Sequence, residues 1–267
     1  MTIGVFCNKT TKKYLPVQQE LFRLLKERRL NYSVYETIDE IGSVDVLIVL
    51  GGDGTMLKVA AAVGNKGIKI LGINSGNLGF LTEFEGEDIA RALDLLIGGF
   101  RSQKREVLEV SVNGKSFFAL NEVFFQRHYN EEADNNVVCI TAEIDGKKVD
   151  DFVGDGIIVS TPTGSTAYSL SAGGPILTPD IHAFILTPVC AHSLHNRPIV
   201  YSDRSIMQVE LSDNEGKLSM FCDGKFVCII SRCDHVYVKK ANFETEFIMG
   251  ENNFFDKLLF KLNKWSK

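Results

Sequence analysis

Near residue 100 the hydrophobic pattern of this chain changes its period, so two different kinds of sheet have to form from one sequence. Before that point short apolar runs alternate with helical repeats. Ile3–Cys7, Tyr32–Tyr35, Val46–Leu50 and Ile68–Ile73 read as strands, and Tyr14–Arg29, Thr55–Val63 and Asp88–Ile97 as helices. In Tyr14–Arg29, Val17, Leu21, Leu24 and Leu25 share one face, and Pro16 sits near the first turn, where its missing N–H costs nothing. Val46–Leu50 contains no polar residue, so both of its faces need cover. Strands of that kind, alternating with helices, make an open parallel sheet with helices on both sides.

From Arg105 to about Met249 the pattern shortens to strands and tight turns. Val107–Val112 and Ser116–Phe125 flank Asn113-Gly114, and Val137–Ile144 and Lys148–Val153 flank Asp145-Gly146. Both dipeptides tolerate the positive φ angles of a two-residue hairpin turn. Ile206–Leu211, Leu218–Phe221, Phe226–Ile230 and Val236–Val238 are further strands. Gly164–Pro198 reads as helix mixed with loop, and Asn253–Lys264 as a helix with Phe254, Leu258, Leu259 and Leu262 at helical spacing. The expected architecture is α/β plus all-β. An open parallel α/β domain spans 1–100, with a helix at about 250–267 docking back on it, and a β-rich, sandwich-like domain spans 101–249.

Composition narrows the function. The 29 basic and 34 acidic residues leave a net charge of −5, against a nucleic-acid binder, whose footprint is basic. A locally positive site for a small anion stays compatible with that charge. The six cysteines, at 7, 139, 190, 222, 228 and 233, form no C-x-x-C pair and mostly lie in apolar runs. They read as reduced core residues of a cytoplasmic protein. No apolar run reaches the ~20 residues of a spanning helix. Met1–Cys7 lacks the basic start and long apolar stretch of a signal peptide and reads as a first strand, so no membrane partner is expected.

Chemistry concentrates at the ends of strands. Gly51-Gly52-Asp53-Gly54-Thr55 directly follows Val46–Leu50, and strand ends of an open parallel sheet are where ligands bind. Glycines let backbone approach a ligand closely, and the helix that follows offers free N–H groups to phosphate oxygens. Asp53 is placed to take a proton from a hydroxyl nucleophile or to hold a metal; the plainer alternative is that it caps a helix starting at Thr55. There is no G-x-x-x-x-G-K-[ST] loop and no G-x-G-x-x-G after the first strand. A second glycine-rich turn, Gly72–Leu81, follows the next strand, and its Phe80 either stacks on a planar ligand or packs in the core. A third segment runs Gly154-Asp155-Gly156, Thr161–Tyr168 and Ser171-Ala172-Gly173-Gly174-Pro175, dense in the small hydroxyl residues that suit a ribose or polar ring. Asn121-Glu122 is a polar pair inside an apolar run and needs partners, for which a hydroxylated ligand qualifies.

These segments, with Leu78-Gly79-Phe80-Leu81 and Asp223-Gly224, occur in the order seen in NAD kinases, and the chain resembles that family from about residue 3 to 250. The first motif alone is shared with lipid kinases of the diacylglycerol and sphingosine type; the Thr161–Tyr168 block with Asn121-Glu122 is far more specific. The resemblance is to bacterial members, and it implies a phosphotransferase that uses ATP, or polyphosphate, to phosphorylate the 2′-hydroxyl of the adenosine ribose of NAD+. It implies Asp53 as the base or orienting group, and Gly51, Gly52, Gly54 and Thr55 as the phosphate loop. It implies NAD contacts from Gly54, Asn121, Glu122 and Asp155 at the ribose and adenine. Thr163, Thr166, Ala167, Tyr168 and Ser171 would shape the adenine and nicotinamide pockets, with Phe80 and Cys190 also at the substrate, and Lys58 either faces the ligand or lies solvated on its helix. Mg2+ would enter through the nucleotide and not through protein ligands. Family members place NAD between the two domains and form homodimers or homotetramers.

Two positions depart from the family pattern. Val153 stands where many relatives carry a basic residue, and Lys225 follows Asp223-Gly224 where relatives often have glutamine. Lys225 would add positive charge near a ligand phosphate. The basic cluster Asn8–Lys13 reads as a solvated turn or a donor-phosphate contact. His192 and His195 have a metal-like spacing but no carboxylate or cysteine companions; His192 is expected to shape the loop that includes Cys190. Two other readings remain: a lipid kinase with the same loop, and a non-catalytic NAD(P)-sensing module.

Overall fold

The computed structural model describes all residues except 8–13, 75, 77, 78, 130–136, 193–196, 213–215, 266 and 267. The cluster Asn8–Lys13, His195, and Ser75, Asn77 and Leu78 of the second glycine turn therefore lie outside the described residues. The chain divides into two compact units, residues 1–105 with 243–267, and residues 106–242.

In the first unit, strands β1 (Ile3–Cys7), β2 (Tyr32–Tyr35), β3 (Val46–Leu50), β4 (Lys69–Asn74) and β5 (Phe84–Glu85) alternate with helices α1 (Leu15–Glu27), α2 (Asp53–Val63) and α3 (Ile89–Gly98). The strands run parallel in the order β2-β1-β3-β4. Because side chains alternate across a strand, Val46, Ile48 and Leu50 join Leu21 and Leu25 of α1 and Leu93 and Leu96 of α3 in one core. Leu47 and Val49 point the other way and are as fully buried. Met56 of α2 lies against Gly72 of β4, where a Cβ would strike its side chain. The apolar runs on both faces are thus explained by helical cover.

The second unit is antiparallel. It contains most of β6 (Arg101–Val112), then β7 (Lys115–Ala119), β8 (Glu122–Arg127), β9 (Val138–Ile144), β10 (Lys147–Gly154), β11 (Gly156–Ser160), the short helix α4 (Tyr168–Ser171), β12 (Ala183–Val189), β13 (Ile199–Ser202), β14 (Met207–Leu211), β15 (Leu218–Cys222) and β16 (Lys225–Ile230). One sheet has the order β13-β12-β11-β8-β15-β16. β10, β9 and β14 pair antiparallel in another sheet, and side chains of both sheets share one core that includes Phe125, Ile140, Val159, Phe184, Val209 and Met220. The turns Asn113-Gly114 (φ 50° and 81°) and Asp145-Gly146 (51° and 72°) form where the sequence puts them.

Three sequence expectations are corrected. Ser116–Phe125 is not one strand: it breaks at Leu120–Asn121 into β7 and β8, which belong to different sheets. Gly164–Pro198 is not only helix and loop, because it contains β12, all of whose seven residues are buried. The strand seen as Val236–Val238 is β17 (Val236–Met249), 14 residues long. Its first residues pair with β14 in the second unit, and Glu246 and Phe247 pair with Lys69 and Ile70 of β4 in the first. The last helix, α5 (Phe254–Trp265), docks on the first unit, but Leu259 and Leu262 are exposed while Lys257 is 4% exposed. No helix among the described residues is long and apolar enough to cross a membrane.

Candidate active site

The Gly51–Thr55 loop leaves β3 and becomes helix at once. α2 begins at Asp53 and not at Thr55, with Gly52 as its N-cap residue, and the N–H groups of Thr55 and Met56 bond to the Gly52 carbonyl. Asp53 is thus the first residue of the helix and not its cap. Its carboxylate instead accepts the N–H of Phe80 at Oδ2 and of Leu81 at Oδ1, both at 3.0 Å. A helix N-terminus favours negative charge, and bonds of N–H to a carboxylate are among the stronger hydrogen bonds. The helix-cap alternative is therefore replaced by a long-range lock between the first and second glycine turns. Gly79 makes the lock possible, since a Cβ there would run into the Asp53 carboxylate. Gly51 would crowd Thr55 if it carried a side chain, whereas a Cβ on Gly54 would meet no protein atom within 4 Å. That leaves open space over the loop beside the carboxylate.

Phe80 does not stand alone. Its ring lies 6.2 Å from that of Phe254, and the ammonium of Lys261 sits 5.3 Å from its centroid. Lys261 Nζ is 3.8 Å from Asp53 Oδ2. One turn back on α5, Lys257 donates to the carbonyls of Phe80 and Thr82 (3.5 and 3.2 Å) and to the Glu83 carboxylate. Burial pulls the Lys257 ammonium to lower pKa, with Glu83 opposing. Neither lysine was singled out by sequence reasoning; their positions three and seven residues after Phe254 were the available signal. Lys58 is exposed on α2.

In the second unit Asn121 and Glu122 gather around one carboxylate. Asp223, at φ 47° in the turn between β15 and β16, accepts the N–H groups of Leu120, Asn121 and Glu122 at 2.9, 2.8 and 3.2 Å. This fixes the break between β7 and β8. Thr161 donates its N–H to the Asn121 carbonyl and its hydroxyl to that of Leu120 (2.9 and 2.6 Å). Gly164 lies so close that a Cβ would collide with the Asn121 carbonyl. Thr163 is buried, Thr166 and Ala167 are half-buried, and Tyr168 and Ser171 are exposed. Tyr168 sets its ring edge-on to Phe124 at 5.1 Å.

Glu122 is 7% exposed and its Oε2 has no hydrogen-bond partner. Burial, reinforced by neighbouring Asp223, pushes its carboxyl up to about 7. An acid raised in the folded state takes up a proton on folding, so the stability it contributes at low pH is lost as pH rises through about 7. Glu122→Gln, which keeps the neutral form, should melt above wild type at pH 8 and close to it at pH 5. Equal shifts at the two pH values would mean an ordinary carboxyl.

Asp155 pairs with Arg127 Nε at 3.1 Å and accepts a hydrogen bond from the Cys190 thiol, the main cause of that thiol's raised pKa. Cys190 adopts φ 48° at the end of β12. His192 donates its N–H to the Val153 carbonyl at 2.9 Å, tying down the Cys190 loop. Lys225 is exposed. Among the described residues one group has metal-ligand geometry, Glu106, His182 and Asp203. It was not anticipated, and Lys240 already bridges its two carboxylates at 2.9 and 3.0 Å.

Comparison with known proteins agrees with this layout along the whole chain. Residues 34–100 match the family model of the ATP-NAD kinase N-terminal domain, and residues 120–250 that of the ATP-NAD kinase C-terminal domain. The NAD kinase of Thermoanaerobacter sp. strain X514 is 35% identical over 283 residues, covering 98% of this chain and 99% of that one. The NAD kinase of Caldicellulosiruptor bescii is 34% identical over 267 residues, covering 99% and 100%. The fold resembles the crystal structure of yeast NADH kinase complexed with NADH, with a TM-score of 0.87 at 24% identity, covering 99% of this chain and 88% of that one. It also resembles an Archaeoglobus fulgidus NAD kinase in complex with ATP, with a TM-score of 0.79 at 24% identity and coverage of 98% and 99%. Full-length identity of this order, together with the match of both domain models, makes this chain a member of the NAD kinase family.

Proposed function

We infer that this protein transfers the γ-phosphoryl group of ATP to the 2′-hydroxyl of the adenosine ribose of NAD+, giving NADP+ and ADP. The observation that carries the reading is the Asp53 carboxylate, held at the start of α2 by two N–H groups from the second glycine turn, with open space at Gly54. Each carboxylate oxygen spends one acceptor site on that lock and keeps another for the acceptor hydroxyl. Asp53 orients the hydroxyl and takes its proton. Of the loop Gly51, Gly52, Gly54 and Thr55, the N–H groups of Gly51 and Thr55 are taken by the Ile73 and Gly52 carbonyls, so Gly52 and Gly54 are the residues that offer backbone N–H groups to phosphate oxygens. Asn121, Glu122, Asp155, Thr163, Thr166, Ala167, Tyr168, Ser171 and Cys190 are the NAD-contacting candidates of the second unit, and the unpartnered Glu122 Oε2 is suited to a ribose hydroxyl or an adenine amine. Lys58 and Phe80 border the loop on the first unit.

The donor set beside Asp53 does not make a metal cage. Both of its oxygens carry backbone N–H groups, and no second carboxylate joins it among the described metal-type groups. Mg2+ fits as an ion carried by the donor phosphates, where it neutralises their charge. Six free cysteines accord with a cytoplasmic protein. A homodimer or homotetramer is the assembly to test by light scattering.

The test is NADP+ formation from NAD+ with ATP and Mg2+, read by an NADP-dependent dehydrogenase. Parallel reactions with polyphosphate and with NADH define donor and acceptor. A lipid kinase would phosphorylate dispersed diacylglycerol and leave NAD+ untouched, and a sensing module would bind NAD+ without turnover.

A further inference from the structure

The loop Gly51–Thr55 contains no basic residue, yet phosphoryl transfer depends on positive charge around the moving group. Among the described residues of the first unit, positive charge beside Asp53 comes from α5. Phe254, Lys257 and Lys261 follow one another at helical spacing along a single stripe of α5. Phe254 meets Phe80, and Lys257 grips the carbonyls of Phe80 and Thr82. The opposite edge of the same segment gives its N–H groups to Asp53. α5 thus holds the strip of backbone that holds Asp53. Lys261 completes the stripe, its ammonium 3.8 Å from Asp53 Oδ2 and over the Phe80 ring. At 3.8 Å the contact is an ion pair without a hydrogen bond, and with its side chain 24% exposed the ammonium can turn toward a ligand.

We propose that Lys261 is a catalytic residue whose ammonium meets the γ-phosphoryl group as it passes beside Asp53. This rests on the reading of Asp53 given above. In the step, the ribose 2′-oxygen bonds to the γ-phosphorus while the bond from that phosphorus to the β–γ bridging oxygen breaks. The electron pair of the broken bond leaves with ADP, and the hydroxyl proton passes to the Asp53 carboxylate. Lys261 keeps its own proton throughout. Its charge offsets the negative charge that Asp53 and the phosphoryl oxygens bring together, and the ammonium sits over the Phe80 ring.

Lys261→Met keeps the stem and removes the charge. Its kcat should fall about 10²-fold, the usual scale for removing one preorganised donor. The KM for NAD+ should stay within about threefold, and the melting temperature within a few degrees. Lys261→Arg should recover part of the rate, and calorimetric titration with ATP and Mg2+ should show at least about fivefold weaker binding to Lys261→Met. Wild-type turnover in Lys261→Met overturns the proposal. So does an equal fall in rate and melting temperature in the Met, Arg and Gln variants, which would make the residue a helix-docking contact. If the wild type forms no NADP+, the kinase reading fails by itself, and the ATP titration still decides this one: equal affinities overturn it.

Discussion

Asp53→Asn is expected to turn over NAD+ at least ~10²-fold more slowly than wild type while losing little NAD+ affinity, the scale for removing an acid–base group. The substitution is nearly isosteric, so the side chain still reaches the Phe80 and Leu81 N–H groups. One of those two contacts then faces an amide NH2, and the loop stays close to its place because Lys257 holds its carbonyl side. What disappears is the site that accepts the hydroxyl proton and the partner of Lys261. Coupled-assay kcat against NAD+ binding by calorimetry separates the cases. Parallel losses in both would reduce Asp53 to a substrate-positioning group.

Asp223→Ala should be the most destabilising single change in the second unit. It leaves the N–H groups of Leu120, Asn121 and Glu122 without their acceptor. Each buried, unsatisfied donor costs about 1–3 kcal/mol, and alanine at φ 47° adds strain. A loss of roughly 3–6 kcal/mol is a large share of the total stability of a folded protein. Relief of the charge on Glu122 returns part of it. Asp223→Asn keeps an acceptor and tolerates the left-handed backbone, so it should fall between. Urea midpoints give the order, and an alanine variant as stable as the asparagine variant would mean the three N–H groups find other partners. NAD+ binding should weaken with stability, because the same turn holds Asn121 and Glu122.

The parts of the fold that are local in sequence were legible from it. β1 and β3 are apolar runs and β4 is apolar between Lys69 and Asn74, and the hairpins at Asn113-Gly114 and Asp145-Gly146 announce themselves through turn chemistry. The parts that escaped are held by partners far along the chain. The break at Leu120–Asn121 carries no glycine or proline and is made by Asp223, 103 residues beyond Leu120. β12 is masked by Thr187 and Pro188, yet the Thr187 hydroxyl bonds to Ser169 Oγ at 2.8 Å and can be buried. β17 looks polar because Lys239, Lys240, Glu244 and Glu246 interrupt it, and each is paired, with Glu109, with Glu106 and Asp203, with Lys104 and with Lys69. Likewise Lys257 reads as the solvent face of α5 until Glu83 is seen to neutralise it. Among the candidate residues, the glycine loop marks where Asp53 lies and the polar pair in an apolar run marks Asn121 and Glu122, but neither shows what aims them. Asp53 is locked by residues 27 and 28 positions away.

The first unit is built from two stretches, 1–105 and 243–267, with the whole second unit threaded between them. On the ribosome this imposes an order. β1 to β4 can pair as they emerge, but one edge of β4 waits for Glu246 and Phe247 through the synthesis of residues 106–242. An unpaired strand edge is a template for wrong partners. The same late arrival sets when the glycine loop gains its support: until α5 is in place, the strip that bonds to Asp53 has no Lys257 behind it and no Lys261 beside it. A nascent chain of this kind carries its glycine loop long before the helix that braces it is released.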